Sequence, residues 1–227
     1  MKFRFIALLL PLWLSAGVLQ AAESGGVTLG GTRLVYDGGK KEEALNITNS
    51  DQGPFLIQSW AETQNGGTEK APFIVTPPLF RLDGNQQNTL RVIRTGGNLP
   101  EDRESLFWLN VKSIPTSSKN ENANTLQIAV KTRIKLIYRP QTIKITPEEV
   151  AKNLTWSQSG SQLTVSNPTP FYMNFQQIKV GERELNEVTW VAPMSSASFD
   201  TAGATGAVSW KIINDYGGTS AEYHAGR

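Results

Sequence analysis

Thr125-Leu126-Gln127-Ile128-Ala129-Val130-Lys131-Thr132-Arg133-Ile134-Lys135-Leu136-Ile137-Tyr138 is the longest β-like run of the chain, and its reading decides the fold. Leu126, Ile128 and Val130 alternate with Gln127, Ala129 and Lys131; further on, Arg133 and Lys135 interleave with Ile134, Leu136 and Ile137. Fully extended, residues 125–138 span about 45 Å, more than twice a common strand length. The period of two assigns the run to a β-strand with one apolar face and leaves two arrangements open. Either that face packs on its own sheet, or the first half protrudes as an edge that pairs with another chain. In the second case main-chain hydrogen bonds supply affinity and alternate side chains fill pockets. A bare apolar edge is an aggregation hazard, so this arrangement requires a function. Lys135 differs in parity from Leu126, Ile128 and Val130, and strict alternation puts it on the opposite face.

The flanks of the run set the architecture. Residues 116–124 are polar apart from Ala123, and Arg139-Pro140 closes the far end. Upstream, β-like segments at 32–36, 44–49, 55–62, 73–76, 79–82, 89–95 and 105–114 are separated by turn signals such as Asp37-Gly38-Gly39, Asn65-Gly66-Gly67 and Asp83-Gly84-Asn85. Downstream, segments at 154–156, 162–166, 171–180, 188–191 and 207–214 are punctuated by Asn167-Pro168-Thr169-Pro170 and Asp215-Tyr216-Gly217-Gly218. Short strands at this spacing predict an all-β protein. The one helix-like candidate is a turn near Pro147-Glu148-Glu149-Val150, where the proline opens a short helix. The expected organisation is two immunoglobulin-sized β-sandwich domains, 23–140 and 148–227, joined by a connector at 141–147.

Residues 1–22 read as a secretory signal peptide, with Lys2 and Arg4 before an apolar run at 5–14 and cleavage near Ala21 or Ala22. The apolar run is well short of the roughly 20 residues that span a bilayer, so no stable membrane insertion is expected. The chain carries 22 basic and 20 acidic residues, and the leader holds two of the basic ones, so the exported chain is balanced. That balance, with no local basic cluster or aromatic–basic stripe in the sequence, argues against nucleic acid.

Cysteine is absent and His224 is the single histidine. Thiol catalysis, thiolate metal sites, histidine triads and multi-histidine centres are thereby set aside, and neither cofactor nor metal is expected. Without disulfides, the exported chain is stabilised by core burial alone. No spacing of carboxylates singles out a hydrolytic pair, so an enzyme is not expected. Trp60, Trp108, Trp156, Trp190 and Trp210 make an exported carbohydrate-binding β-sandwich the alternative. They are scattered along the chain, and core packing is the expected role of most.

Specific motifs decide between these readings. Leu99-Pro100-Glu101-Asp102-Arg103-Glu104-Ser105-Leu106-Phe107-Trp108-Leu109-Asn110-Val111-Lys112-Ser113-Ile114-Pro115 resembles the signature of periplasmic pilus-assembly chaperones. Leu126-Gln127-Ile128-Ala129, Ile134-Lys135-Leu136-Ile137-Tyr138-Arg139-Pro140, Thr76-Pro77-Pro78, Asn167-Pro168-Thr169-Pro170 and Ile213-Asn214-Asp215-Tyr216-Gly217-Gly218 resemble the same family, in the order it has them. The short loop between Pro115 and Leu126 and the absence of cysteine resemble its short-loop branch, whose members serve rod-like fimbriae. A C-terminal disulfide found in some of those members has no counterpart here.

The resemblance implies two immunoglobulin-like β-sandwich domains arranged in a boomerang, and a periplasmic chaperone acting by donor-strand complementation. The partners it implies are pilin subunits, which are immunoglobulin-like domains lacking a strand, and an outer-membrane usher; lending a strand to such a subunit is a known instance of β-strand addition. Leu126, Ile128 and Val130 match the donor residues that enter the pilin groove. Arg33 and Lys135 match the two cleft cations that hold the pilin's C-terminal carboxylate by charge-assisted hydrogen bonds, which fixes the pairing of the added strand. Glu104, Arg139 and Asp215 match an interdomain ion-pair network with a structural role. Weak self-association that caps the donor strand in the absence of a subunit is left open.

Overall fold

The computed structural model describes residues 26–66, 69–116 and 126–226; the leader expected at 1–22 and residues 117–125 lie outside the described residues. Among the described residues, nine strands precede the connector: β1 (Val27–Leu29), β2 (Arg33–Asp37), β3 (Glu42–Asn49), β4 (Phe55–Thr63), β5 (Phe73–Thr76), β6 (Leu79–Leu82), β7 (Gln87–Arg94), β8 (Ser105–Pro115) and β9 (Val130–Arg139). They form a four-stranded sheet, β1-β3-β7-β5, and a five-stranded sheet, β2-β9-β8-β4-β6. Alternation sorts the side chains. Leu45, Ile47, Leu90 and Val92 from one sheet meet Ile57, Leu109, Val111, Ile134 and Leu136 from the other in one buried core. Each such side chain contributes about 1.5–3 kcal/mol by leaving water. Tyr36, Phe73 and Phe107 stack edge to face through the middle, with ring centroids 5.3 and 5.1 Å apart.

Polar groups close the open ends of the sandwich. The Asn49 amide, fully buried, donates to the carbonyls of Gly53, Leu82 and Asp83 and ties two turns together. Asp37 accepts the Gly39 amide at 2.9 Å and so shapes the turn after β2.

The long run at 125–138 divides where its neighbours stop. Strand β9 begins at Val130, and Leu126, Gln127, Ile128 and Ala129 are not part of it. The last pair of the β8–β9 ladder is Ser113–Val130, and β8 ends at Pro115, which has no amide hydrogen to donate. On the other edge, β2 reaches only from Lys135 to Arg139. Alternation continues through Leu126, but among the described residues no strand lies beside it.

After Pro140 the chain turns into a short helix, α1 (Pro147–Val150), with proline in its first turn. The Glu149 carboxylate accepts the Thr146 backbone N–H at 3.2 Å, so the helix starts where the sequence predicts. The second set of strands comprises β10 (Thr155–Ser159), β11 (Gln162–Asn167), β12 (Met173–Val180), β13 (Arg183–Glu184), β14 (Trp190–Val191), β15 (Ser195–Asp200), β16 (Val208–Ile212) and β17 (Tyr223–His224). Sheet β10-β11-β15 packs against a sheet ordered β13-β12-β16-β17, to which β14 adds beside β12. Leu163, Val165, Phe171, Ile178, Trp210 and Ile212 fill this second core. The sequence reading did not single out β1, β13, β15 or β17. In β15 only Ala197 and Phe199 are apolar, and pairing with β11 from Gln162 to Asn167 makes it a strand.

Candidate functional site

The two strands that carry the expected cations run side by side. β2 pairs with β9 in parallel, and Arg33 stands directly opposite Lys135. The same cross-strand row continues through Trp108 to Glu62. This row lies on the outer face of the five-stranded sheet, and the second domain covers it at Arg33 and Lys135. The Arg33 Nη1 donates to the Ile213 carbonyl at 3.3 Å, while its buried Nε has no partner among the described residues. The Lys135 ammonium donates to Asn174 Oδ1 and sits 4.3 Å from the Trp190 ring centroid. Among the described residues, neither Arg33 nor Lys135 has a carboxylate within ion-pair distance, whereas Lys131, Arg133 and Arg139 all do.

Burial lowers the Arg33 guanidinium against the pull of Asp215 and Glu104. Burial, then repulsion from Arg33, brings Lys135 down to about 8. Two partly desolvated cations thus share a cleft without a counter-ion of their own. An anion entering there gains charge-assisted hydrogen bonds from both and relieves their mutual repulsion.

The apolar triplet has the opposite parity in the run that leads into β9, and only Val130 belongs to the strand itself. Leu126, Ile128 and Val130 are 86%, 65% and 54% exposed, although their parity is that of Ile134, Leu136 and Tyr138, which are core. One face of the run therefore begins as a bare apolar arm and ends as core; the opposite face carries Lys131, Arg133 and Lys135. The parity difference between the triplet and Lys135 is the separation of these two faces. The edge of β9 ahead of Lys135 has no strand beside it among the described residues.

Two sequence expectations change here. Trp210 is buried and Trp156 packs on it at 5.0 Å, as core residues do. Trp60, Trp108 and Trp190 instead remain half-exposed along the cleft face. Lys131 lies over Trp60 at 4.9 Å and Arg133 over Trp108 at 5.3 Å, so an aromatic–basic stripe does exist. It is assembled across four strands, β4, β8, β9 and β14, and two domains, and no local stretch of sequence holds it. Glu62 offsets part of its charge: it accepts the Trp60 indole N–H at 2.7 Å and pairs with Arg133 and Lys131. Each of these three rings has a cation over it, so together they are not an open aromatic platform for a sugar.

Glu104, Arg139 and Asp215 meet at the joint. Arg139 donates to Glu104 Oε1 at 2.8 Å and, bidentately, to the Asp215 oxygens at 2.6 and 2.7 Å. Glu104 also accepts the Tyr172 backbone N–H at 2.7 Å, and its own amide donates to the Pro170 carbonyl. Burial pushes Glu104 up to about 7, against the pull of Arg139 and the Tyr172 amide. Burial alone lowers Arg139, but Asp215 and Glu104 bracket it and hold it raised, so it stays charged. Asn174, Trp190, Trp108 and Glu62 were not foreseen as part of the site. They join it through cross-strand register and domain contact, which leave no local signal.

The two sandwiches and the cationic cleft between them place the chain among two-domain β-sandwich chaperones. Residues 26–144 match the family described as pili and flagellar-assembly chaperone, PapD N-terminal domain, and residues 149–224 match the PapD C-terminal domain of pili assembly chaperones. The probable fimbrial chaperone LpfB of Escherichia coli O157:H7 is 44% identical over 222 residues, covering 96% of this chain and 94% of that protein. The chaperone protein FimC of Escherichia coli K12 is 42% identical over 206 residues, covering 89% and 85%. Among solved structures, the SafB chaperone in complex with the SafA pilin of Salmonella enterica superposes with a TM-score of 0.84 at 39% identity, covering 90% of this chain and 97% of that one. The chain belongs to the pili-assembly chaperone family.

Proposed function

We propose that the protein captures fimbrial subunits in the periplasm by lending them its apolar arm and β9, and hands them to an outer-membrane usher. Leu126, Ile128 and Val130 enter the groove of an incomplete immunoglobulin-like subunit, while Arg33 and Lys135 hold the subunit's C-terminal carboxylate. The observation that carries this reading is three exposed apolar residues on one face of the run that leads into β9, with a cation pair across β2 and β9 on the opposite face that has no carboxylate within ion-pair distance among the described residues. The solved SafB relative, titled as a complex with a pilin, supports the partner class, and fimbrial chaperones of this family are periplasmic.

In this reading residues 1–22 are removed near Ala21 or Ala22 during export. The domains are 23–140 and 148–227, with 141–147 as connector. Glu104, Arg139 and Asp215 set the angle between them, because a bidentate arginine held by both domains resists rotation. Co-expression with a fimbrial subunit yields a soluble complex, which Arg33→Ala or Lys135→Ala abolishes while each variant stays folded. Subunits held in solution equally well by both variants would overturn the anchor assignment.

A further inference from the structure

Lys135 sits in a place that discourages a charged lysine. Its ammonium is partly desolvated and its charged neighbour across the ladder is Arg33, which repels it. Left to itself, such a side chain would lose its proton or swing toward water, and either change would remove half of the cation pair. The second domain supplies what keeps it in place. Asn174 Oδ1 accepts from the ammonium, and the Trp190 ring lies under it at 4.3 Å. The Asn174 amide is itself oriented, since its Nδ2 donates to the Tyr172 carbonyl at 3.0 Å, and the Tyr172 N–H donates to Glu104. Trp190 is braced edge-on by Trp108 at 6.3 Å.

Both partners of Lys135 are neutral. An aspartate in place of Asn174 would stabilise the ammonium more strongly but would consume its charge. An amide oxygen and an aromatic face stabilise the ammonium and leave its charge for an incoming carboxylate.

We propose that Asn174 and Trp190 are positioning residues for subunit capture: they keep Lys135 charged and aimed into the cleft while no subunit is bound. The inference rests on the carboxylate-anchor reading of Arg33 and Lys135. It makes the second domain part of the anchor in addition to the ion-pair joint.

The test uses the full mature chain with two probes, an alternating valine–threonine peptide ending in a free carboxylate and the same peptide as its carboxamide. Wild type prefers the carboxylate by about tenfold or more, the value of a charge-assisted hydrogen bond. Asn174→Ala and Trp190→Ala keep most of that preference at about pH 6, where Lys135 is charged in any case, and lose it at about pH 8, where wild-type Lys135 still holds about half of its charge. Asn174→Asp weakens carboxylate binding at both, because its own carboxylate occupies Lys135. Carbon-13 dimethyl labelling of lysines follows the same group without any ligand. The Lys135 titration, near 8 in wild type, moves down in Asn174→Ala and up in Asn174→Asp. If Asn174→Ala does not fold, Trp190→Phe carries the test. If wild type shows the preference and it survives Asn174→Ala and Trp190→Ala at every pH, the inference falls and the anchor reading stands. If wild type shows no preference, and Arg33→Ala changes nothing, both fall.

Discussion

Arg33 and Lys135 are direct neighbours in a parallel strand pair, β2 against β9, within a sandwich whose other described pairings are antiparallel. Parallel pairing brings the start of the domain alongside its end. Two like charges just over a hundred residues apart are thereby held one strand spacing from each other, about 4.8 Å. Such an arrangement costs stability, and the cost has measurable consequences.

Lys135→Met should abolish subunit capture and stabilise the free protein near neutral pH. The folded value of Lys135, about 8, lies below its ordinary 10.5. Between those values the unfolded chain holds a proton that the folded one has released, so wild-type stability rises with pH across that window. The variant lacks this dependence, and its advantage in thermal melts should shrink as pH climbs from about 8 toward 10.5. A variant less stable than wild type near neutral pH would mean that Asn174 and Trp190 more than offset the burial of the charge.

Ile128→Asp should remove subunit binding with a change in stability within about 0.5 kcal/mol, because an exposed arm contributes little to the fold. Leu136→Ala, ten residues closer to the C-terminus than Leu126 and fully buried, should cost about 2–5 kcal/mol. Denaturant midpoints of the two variants separate arm from core. A large loss at Ile128 would place that residue in the protein's own interior.

The joint should respond to pH through Glu104. Its folded value, about 7, is raised above the ordinary 4.5, so between them the folded state holds a proton the unfolded state has released. Its contribution to stability therefore falls as pH rises through that window. Paired melts of wild type and Glu104→Gln should show the wild type losing ground over the same interval. An opposite slope would mean that Arg139 keeps Glu104 ionised throughout.

Arg139→Ala should be the most damaging single change at the joint, at about 3–5 kcal/mol, since it strands the buried Glu104 and releases Asp215. Small-angle scattering should register a wider spread of domain orientations. Arg139→Lys restores charge but not the fork that grips Asp215 with two nitrogens, so it should rescue stability only in part. Unchanged scattering in both variants would separate the ion pairs from control of the domain angle.

The sequence was most informative where a strand's own pattern decides its fate. The segment at 73–76 matches β5, and Pro147 begins the one α-helix among the described residues. It was least informative where a neighbour decides. Residues 126–130 alternate as cleanly as 134–138, yet Leu126 is exposed and Leu136 buried, because β8 ends at Pro115 and β2 starts opposite Lys135. Resemblance to the family's motifs marks Arg33 and Lys135 in the sequence, whereas their adjacency is a property of register. Asn174 and Trp190 belong to a different domain from the lysine they touch, so no local pattern marks them.

The interval between the arm and the cation pair has a last consequence. Val130 and Lys135 are five residues apart on one rigid strand, about 17 Å at the usual rise. Under the proposed reading, a partner's chain end is pinned at one mark while its apolar side chains are matched at others, counted back from that end. On that reading the strand would gauge whether the partner's terminus is whole. Under that reading a clipped or unfinished subunit would still offer a carboxylate, but would present the wrong residues at the measured distance.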